Sequence, residues 1–183
     1  MNIFYLHDDP VKSAKLHCDK HVVKMVIEYA QLLSTAHRIL DGTEYQGKTK
    51  LGRNIRRWKM KDSVKENVLY KASHIKHPSA IWVRENAIQY QYMYDMFVAL
   101  CDEYTYRYGK RHKSEQVIIW CIANRPNIPD LGFTKPAKAM PDEYKVKDVV
   151  QSYRNYYMGA KSGFAKWKNR DVPKWFKVEL DLV

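Results

Sequence analysis

The most regular alternation of apolar and polar positions lies between residues 11 and 40. Two apolar rows recur there at steps of three and four residues: Cys18, Val22, Met25, Tyr29, Leu32, Ala36 and Leu40, and Leu16, Val23, Ile27 and Ala30. This spacing is the period of an α-helix. We therefore predict one long helix from Val11 to about Leu40 that is covered on two sides.

Apolar periodicity and end signals predict further helices at residues 63–73, 79–108, 115–123 and 148–161. Pro78 suits the first turn of the second of these, and Gly109 is typical of its end. The apolar stretch 2–6, "NIFYL", predicts a short strand that "HDDP" interrupts.

Two segments interrupt the helices. Residues 41–62 hold three glycines and many lysines and arginines, which predicts a basic loop excursion, and residues 124–147 hold four prolines, which predicts a long ordered loop. The expected fold is all-α, or nearly so. It is a single domain over residues 1–183, with four to five helices, long loops and an aromatic, basic C-terminal segment.

The amino-acid composition indicates what kind of partner the protein binds. The net charge is +12 and aromatic residues make up 13% of the chain. Cations mixed with rings favour a nucleic acid, because bases stack on rings while cations hold phosphates; we expect DNA as the first choice. The chain contains no CxxC pair, no signal peptide and no run of 18 apolar residues. We therefore expect a reducing, cytoplasmic compartment and no membrane partner.

The long first helix also carries a polar stripe. Its members step by four and three residues: His17, His21, Lys24, Glu28, Gln31 and Thr35. Asp19 and His37 point instead towards the apolar side, where each needs a partner.

Three interpretations of this stripe stay open. In the first, His17 and His21 bind a metal, as in HExxH helices, although the glutamate of that motif is absent here. In the second, Asp19 or His21 is a general acid or base, and Lys20 or Lys24 binds phosphate or activates a nucleophile. In the third, Asp19 and His37 pair in the core and the other polar residues form a solvated face.

Three other stretches suggest contacts with nucleic acid. They are "HIKHPSAIWVREN", the basic turn "RYGKRHKSE" and the C-terminal stretch from Tyr153 to Phe176, where rings alternate with cations. The candidate binding residues are His77, Trp82, Arg84, Lys110, Arg111, Arg154, Lys161, Lys166, Trp167, Lys168, Arg170 and Trp175. The chain has no P-loop, no GxGxxG, no GxSxG and no zinc-deaminase signature, and we expect no cofactor.

The stretches "MNIFYLHDDP", "HCDKHVVKM", "HPSAIWVREN", "RYGKRHKSE" and the C-terminal segment resemble a group of tailed-bacteriophage proteins of about this length. The first 40 residues and the "HPSAIW" turn also resemble the pyrimidine-dimer DNA glycosylases of T-even phages. That second resemblance implies a small helical enzyme that flips a base, attacks the sugar with its α-amine and uses an acid on the first long helix. Where that family has an Arg-Glu pair, this chain has Lys20 and His21, with Asp19 the nearest acid.

These observations lead to a first hypothesis and two alternatives. The first is a small basic phage enzyme, glycosylase-like, that acts on DNA or a nucleotide with His17, Asp19, Lys20, His21 and Lys24 as candidate catalytic residues. One alternative is a non-catalytic nucleic-acid-binding or host-takeover protein. The other is a metal-dependent enzyme that uses His17 and His21.

Overall fold

The computed structural model of the chain describes residues 1–117 and 124–176. Its α-helices are α1 (Pro10–Leu16), α2 (Asp19–Asp41), α3 (Ser63–Val68), α4 (Pro78–Val83), α5 (Ala87–Tyr108) and α6 (Val149–Ala160). Short 3-10 turns cover Lys113–Glu115 and Asp142–Tyr144. The predicted helix over 115–123 lies partly outside the described residues.

The prediction of an all-α fold is wrong, because the structure is mixed. Strands β1 (Thr43–Lys48) and β2 (Asn54–Lys59) form an antiparallel two-stranded sheet inside the segment predicted as a basic loop. Gly52 lies between the strands at φ +76°, a conformation that glycine tolerates in tight turns. The many charges and glycines of this segment obscure the alternation of apolar and polar residues from which strands are predicted.

The predicted long first helix is interrupted at His17 and Cys18, and both residues are extended. The C-terminal segment supplies partners for the backbone groups exposed by this break. The N–H of Asp19 donates to the carbonyl of Lys166 at 2.7 Å, and the indole N–H of Trp167 donates to the carbonyl of Leu16 at 2.9 Å. Tertiary hydrogen bonds therefore replace helical hydrogen bonds at this break. Local helix propensity does not predict such a replacement.

The predicted helix over 79–108 is likewise divided. α4 ends at Val83, and α5 begins after Asn86, whose side chain accepts a hydrogen bond from the N–H of Ile88. Gly109 ends α5 with φ +68°, as the sequence predicts. The last helix also agrees with its prediction, because Asp148 caps α6.

The core lies where α2 and α1 pack against α5. α6 adds the fully buried Tyr153 and Tyr157. Residues 2–6 form an irregular segment instead of the predicted strand, and Ile3 to Leu6 are buried against α2 and α6. This segment covers the polar stripe of α2 and so shapes the candidate site.

Candidate active site

The polar stripe of α2 is mostly buried, which excludes the interpretation of a solvated face. His17 and Thr35 are fully buried, His21 is 6% exposed, and the Glu28 side chain is 14% exposed. Lys24 alone among these five reaches well into solvent. Since burying unpaired polar groups is costly, each of the buried ones needs a partner.

The N-terminal segment supplies much of that cover. The Phe4 ring stacks on the His21 imidazole with centroids 4.2 Å apart. The backbone N–H of Phe4 donates to the hydroxyl oxygen of Tyr29. Asn2 fixes the start of the segment, because its amide donates to the carbonyl of Ala139 and its side-chain oxygen accepts from the Tyr153 hydroxyl.

His17 is a fully satisfied core histidine. Its Nδ1 lies 2.8 Å from the carbonyl oxygen of Ser13 and its Nε2 lies 2.7 Å from the Tyr29 hydroxyl. A carbonyl only accepts, so Nδ1 carries the proton and Nε2 accepts from Tyr29. Burial lowers the pKa of His17 to about 4, which keeps the ring neutral.

His21 is paired in a similar way, with Tyr157 of α6. Its Nδ1 lies 2.5 Å from the Tyr157 hydroxyl, which also accepts the N–H of Cys18 at 3.4 Å. Burial first, and then the positive charges of Lys161 and Lys24, help to lower its pKa to about 3. His21 is therefore a neutral, oriented ring at ordinary pH rather than a cation.

Glu28 is the acidic group of the stripe, and two amines approach it. The α-amine of Met1 lies 3.8 Å from Oε2, and the Nζ of Lys24 lies 3.3 Å from Oε1. The Glu28 side chain is 14% exposed, so the α-amine meets a largely shielded carboxylate. Both contacts bring a nitrogen nucleophile to the Glu28 carboxylate at the covered stripe.

His77 lies close enough to the Met1 α-amine and to Glu28 to feel the charge of both. It caps α4, and its Nδ1 accepts the N–H of Ser79. Burial lowers the pKa of His77, and the charge of the α-amine adds to the effect, whereas Glu28 opposes it. The candidate site thus consists of Glu28, the α-amine, Lys24, His21 and His77, and we call this set the Glu28 site.

Cations stacked on rings border the Glu28 site. Lys161 donates to the Tyr156 hydroxyl at 3.2 Å and lies 4.5 Å from the centroid of that ring. Lys20 lies 4.5 Å from the centroid of Phe164, and Phe164 contacts His21 edge-on. Such pairs present a charge and an aromatic surface together, as nucleic-acid platforms do.

Asp19, the acid predicted to be catalytic, has a different environment. Its Oδ1 accepts from Arg107 at 2.9 Å and from the backbone N–H of Lys168 at 2.9 Å. The fully buried Arg107 also donates to Glu103, which in turn binds Arg170. We call Asp19, Glu103, Arg107 and Arg170 the Asp19 cluster; its short bonds favour a structural role.

The suggested pairing of Asp19 with His37 is not present. The Nε2 of His37 instead lies 2.8 Å from the Tyr90 hydroxyl, at hydrogen-bonding distance. The two residues belong to different turns near opposite ends of α2.

The candidate nucleic-acid-binding residues divide into two groups. The exposed ones are Lys110, Arg111, Lys166 and Lys168. The others have intramolecular partners. Trp82 and Trp167 are buried with their indole N–H groups bonded to Thr134 and Leu16, and Arg84 bonds the carbonyls of Ile75 and Ala80.

Arg154 and Arg170 also have partners within the chain. Arg154 donates to the carbonyl of Leu6 and lies over the Trp175 ring, and Arg170 binds Glu103 through two nitrogens. These arginines stabilise the fold and are poorly placed to leave it for a phosphate.

A metal site at His17 and His21 has no support from the geometry. Both ring nitrogens of His17 and the Nδ1 of His21 are hydrogen-bonded. In residues 1–117 and 124–176, no three His, Cys, Asp or Glu side chains are grouped so that they could hold a metal ion.

Comparisons with protein-family models, curated proteins and solved structures found no match for this chain. Within the same described ranges, no helix has both the length and the apolar character needed to cross a membrane.

The sequence patterns did not single out Glu28, Tyr29 or Tyr157 as site residues. Glu28 was a member of the polar stripe, one helical step beyond Lys24, so its position on the helix was visible. The buried approach of the N-terminus was not, because it depends on how residues 1–6 pack against α2 and α6.

Proposed function

We propose that this chain is a DNA-processing enzyme of the glycosylase–lyase class, with Glu28 as its acid/base group. The observation that carries the proposal is the α-amine of Met1 at 3.8 Å from the Glu28 carboxylate, at a covered face of the first long helix. The resemblance to pyrimidine-dimer glycosylases implies an attacking α-amine and an acid on the first long helix, and we assign that acid to Glu28 in place of Asp19. The net charge of +12 fits a polyanionic substrate.

In a chain that begins at Met1, the chemistry is as follows. The neutral amine nitrogen forms a bond to C1′ of the target nucleotide while the C1′–base bond breaks. The base leaves with the electron pair of that bond and takes up a proton. Glu28 accepts one proton from the attached amine and passes it to O4′ as the C1′–O4′ bond breaks, which leaves a protonated Schiff base between the nitrogen and C1′.

The neighbouring groups assist without reacting. Lys24 and Lys161 supply positive charge for the phosphates beside the target nucleotide. The neutral His21 ring, held by Phe4 and Tyr157, forms a fixed wall of the site. The tailed-phage resemblance leads us to expect that this chemistry takes place in the cytoplasm of a bacterial host.

Borohydride trapping tests the proposal. The reductant converts a Schiff base into a stable secondary amine, so the protein becomes linked to a labelled duplex that contains an abasic site or a pyrimidine dimer. We expect trapping by the wild type, with the adduct mapped to residue 1 by peptide mass. We expect a decrease of about 100-fold or more for Glu28→Gln.

Two controls make the result specific. Glu143→Gln removes an exposed carboxylate from another part of the chain and is expected to trap at the wild-type rate. A single glycine added before Met1 displaces the amine by about 3.5 Å and is expected to abolish the adduct. An adduct at Lys24, or full trapping by Glu28→Gln, would contradict the proposal.

A non-catalytic nucleic-acid-binding protein is the second candidate. The observation that favours it is that His17 is fully hydrogen-bonded within the core. This role predicts binding with a steep salt dependence and no trapped product on any of these duplexes.

A further inference from the structure

The β1–β2 hairpin is the most exposed regular element among the described residues. Every residue of β1 is exposed or half-buried, and in β2 only Trp58 is buried. Isolated two-stranded hairpins are marginally stable in water. The hairpin therefore needs stabilising contacts at its base, and its exposed end calls for a functional explanation.

The anchor is on α2 and α3. Arg38 of α2 donates to the carbonyl of Trp58 at 2.8 Å and binds Glu66 at 2.7 Å. Trp58 is 7% exposed. The backbone N–H of Met60 donates to the same Glu66 carboxylate, so the end of β2 is fixed to the body.

The far end of the hairpin is an ordered turn. The N–H of Thr49 donates to the carbonyl of Arg53 at 2.9 Å, and the N–H of Gly52 donates to the carbonyl of Thr49 at 3.0 Å. Leu51 lies at the tip and is 83% exposed. Lys50 and Arg53, both exposed, flank it. An apolar side chain between two cations is thus held at the end of a ribbon.

The charge of the hairpin is strongly one-sided. Between residues 43 and 61 the only carboxylate is Glu44, which binds Arg56 at 2.6 Å. The cations of this segment number seven: Lys48, Lys50, Arg53, Arg56, Arg57, Lys59 and Lys61. This excess favours a polyanion over a protein partner with mixed charges.

One face of the ribbon also carries a ring. Tyr45 pairs with Arg57 across the strands, and both side chains lie beside Gly47. Tyr45 is 48% exposed. The combination of a twisted two-stranded ribbon, cations along it and an apolar tip matches the dimensions and chemistry of a duplex groove.

We propose that the β1–β2 hairpin is a duplex-DNA-binding arm whose Leu51 tip inserts at a base step. Lys50 and Arg53 contact the backbone phosphates on either side, and the inserted side chain unstacks the step. The proposal rests on the proposed function only in taking DNA as the substrate, and it adds that the substrate is double-stranded.

The first experiment measures binding of a fluorescent undamaged duplex at several salt concentrations. In Lys50→Gln/Arg53→Gln the slope of log affinity against log salt is expected to fall by about 2, because each phosphate contact contributes about 1. Lys145→Gln/Lys147→Gln makes the same charge change elsewhere and should leave the slope nearly unchanged. Equal slopes for the two double variants would overturn the proposal, and so would the absence of duplex binding by the wild type.

The second experiment tests the tip. A duplex with 2-aminopurine brightens when a neighbouring base unstacks, and the wild type is expected to raise this signal several-fold. Leu51→Ala should remove most of the rise while keeping the salt slope, because it changes no charge. Leu131→Ala, which truncates a leucine that is 69% exposed in another loop, is the matched control. A full signal with Leu51→Ala would overturn insertion of the tip.

Together with borohydride trapping, these experiments distinguish failure of the hairpin proposal from failure of the glycosylase–lyase proposal. Borohydride trapping on a single-stranded abasic oligonucleotide should survive the arm variants. If the wild type binds and unstacks duplexes but forms no adduct, the arm stands and the glycosylase–lyase proposal fails. The converse result rejects the arm alone.

Discussion

Two acidic residues of the same helix, Asp19 and Glu28, have opposite environments. Asp19 accepts 2.9 Å hydrogen bonds from the buried Arg107 and from the backbone of Lys168. Among the described residues, two amines approach Glu28 at the longer distances of 3.3 and 3.8 Å, and one of them belongs to a mostly exposed lysine. Both carboxylates are partly shielded, so burial alone does not distinguish them.

The difference lies in what each carboxylate would lose by reacting. Protonating Asp19 would weaken a network that joins α2, α5 and the C-terminal segment, and leave the buried Arg107 with Glu103 as its remaining charge partner. Glu28 lacks such short bonds to an arginine or to backbone among the described residues, so a change at this carboxylate disturbs fewer contacts of the fold. A carboxylate held loosely beside a nucleophile is suited to chemistry, whereas one held by short bonds to an arginine and to backbone is suited to stabilising the fold.

The largest expected effect comes from removing the centre of the Asp19 cluster. Arg107→Ala leaves Asp19 and the buried Glu103 without a shared cation, and should lower the free energy of unfolding by about 3–5 kcal/mol. Urea denaturation measures it. Arg111→Ala removes an arginine that is 80% exposed and should leave the midpoint nearly unchanged. Similar urea midpoints for the two variants would show that the Asp19 cluster does not contribute to stability.

A smaller loss is expected from the layer under the N-terminal segment. Tyr29→Phe deprives both the Nε2 of His17 and the N–H of Phe4 of their partner. Unpaired buried groups of this kind cost about 1–3 kcal/mol. Tyr106→Phe, in which the lost hydroxyl belongs to an exposed ring, should change stability by less than about 0.5 kcal/mol. Thermal or urea unfolding of the two variants provides the comparison.

The neutral histidines predict how stability varies with pH. His17, His21 and His37 have pKa values lowered to about 4, 3 and 4. The unfolded chain binds their protons below about pH 6.5 and the folded chain does not. Stability should therefore fall as the pH decreases from 6.5 towards 4, by up to about 1.4 kcal/mol per pH unit for each histidine.

His17→Asn tests this dependence. The variant should be less stable at pH 7, and its stability should decline less steeply between pH 6.5 and 4, because one titrating group is gone. Urea midpoints at a series of pH values measure both quantities. An unchanged slope would mean that His17 titrates normally in the folded protein.

The smallest expected effect concerns Lys24. Its side chain is 67% exposed, so Lys24→Gln should change the free energy of unfolding by no more than about 0.5 kcal/mol. Trapping by this variant should continue, with the adduct still at residue 1. Loss of the adduct without loss of DNA binding would assign the nucleophile to Lys24 instead.

Local patterns predicted much of this fold and part of its site. The period of α2, the Gly109 terminus and the Asp148 cap of α6 follow from rules that act within a few residues. The break at His17 does not, because its backbone partners lie in residues 166–167, far along the chain. The hairpin had a local signal, a glycine-containing turn between two short segments, but its stability depends on Arg38 and Trp58.

Prediction of the candidate site from the sequence was limited in the same way. The polar stripe was visible as a helical spacing, but its burial and the position of the α-amine depend on long-range packing of residues 1–6. Asp19 was rightly expected to need a partner. The partner, Arg107, lies 88 residues away in sequence, and no periodicity connects the two.

Parallel measurements on Glu28→Gln and Asp19→Asn test the central claim most directly. Both substitutions replace one carboxylate of α2 by its amide, and each variant is examined by urea unfolding and by borohydride trapping at a temperature where it is folded. We predict that Glu28→Gln loses trapping by about 100-fold or more and keeps its stability within about 1 kcal/mol. Asp19→Asn should lose about 2–3 kcal/mol of stability and keep its trapping. Full trapping by Glu28→Gln, or its selective loss in folded Asp19→Asn, would contradict the account.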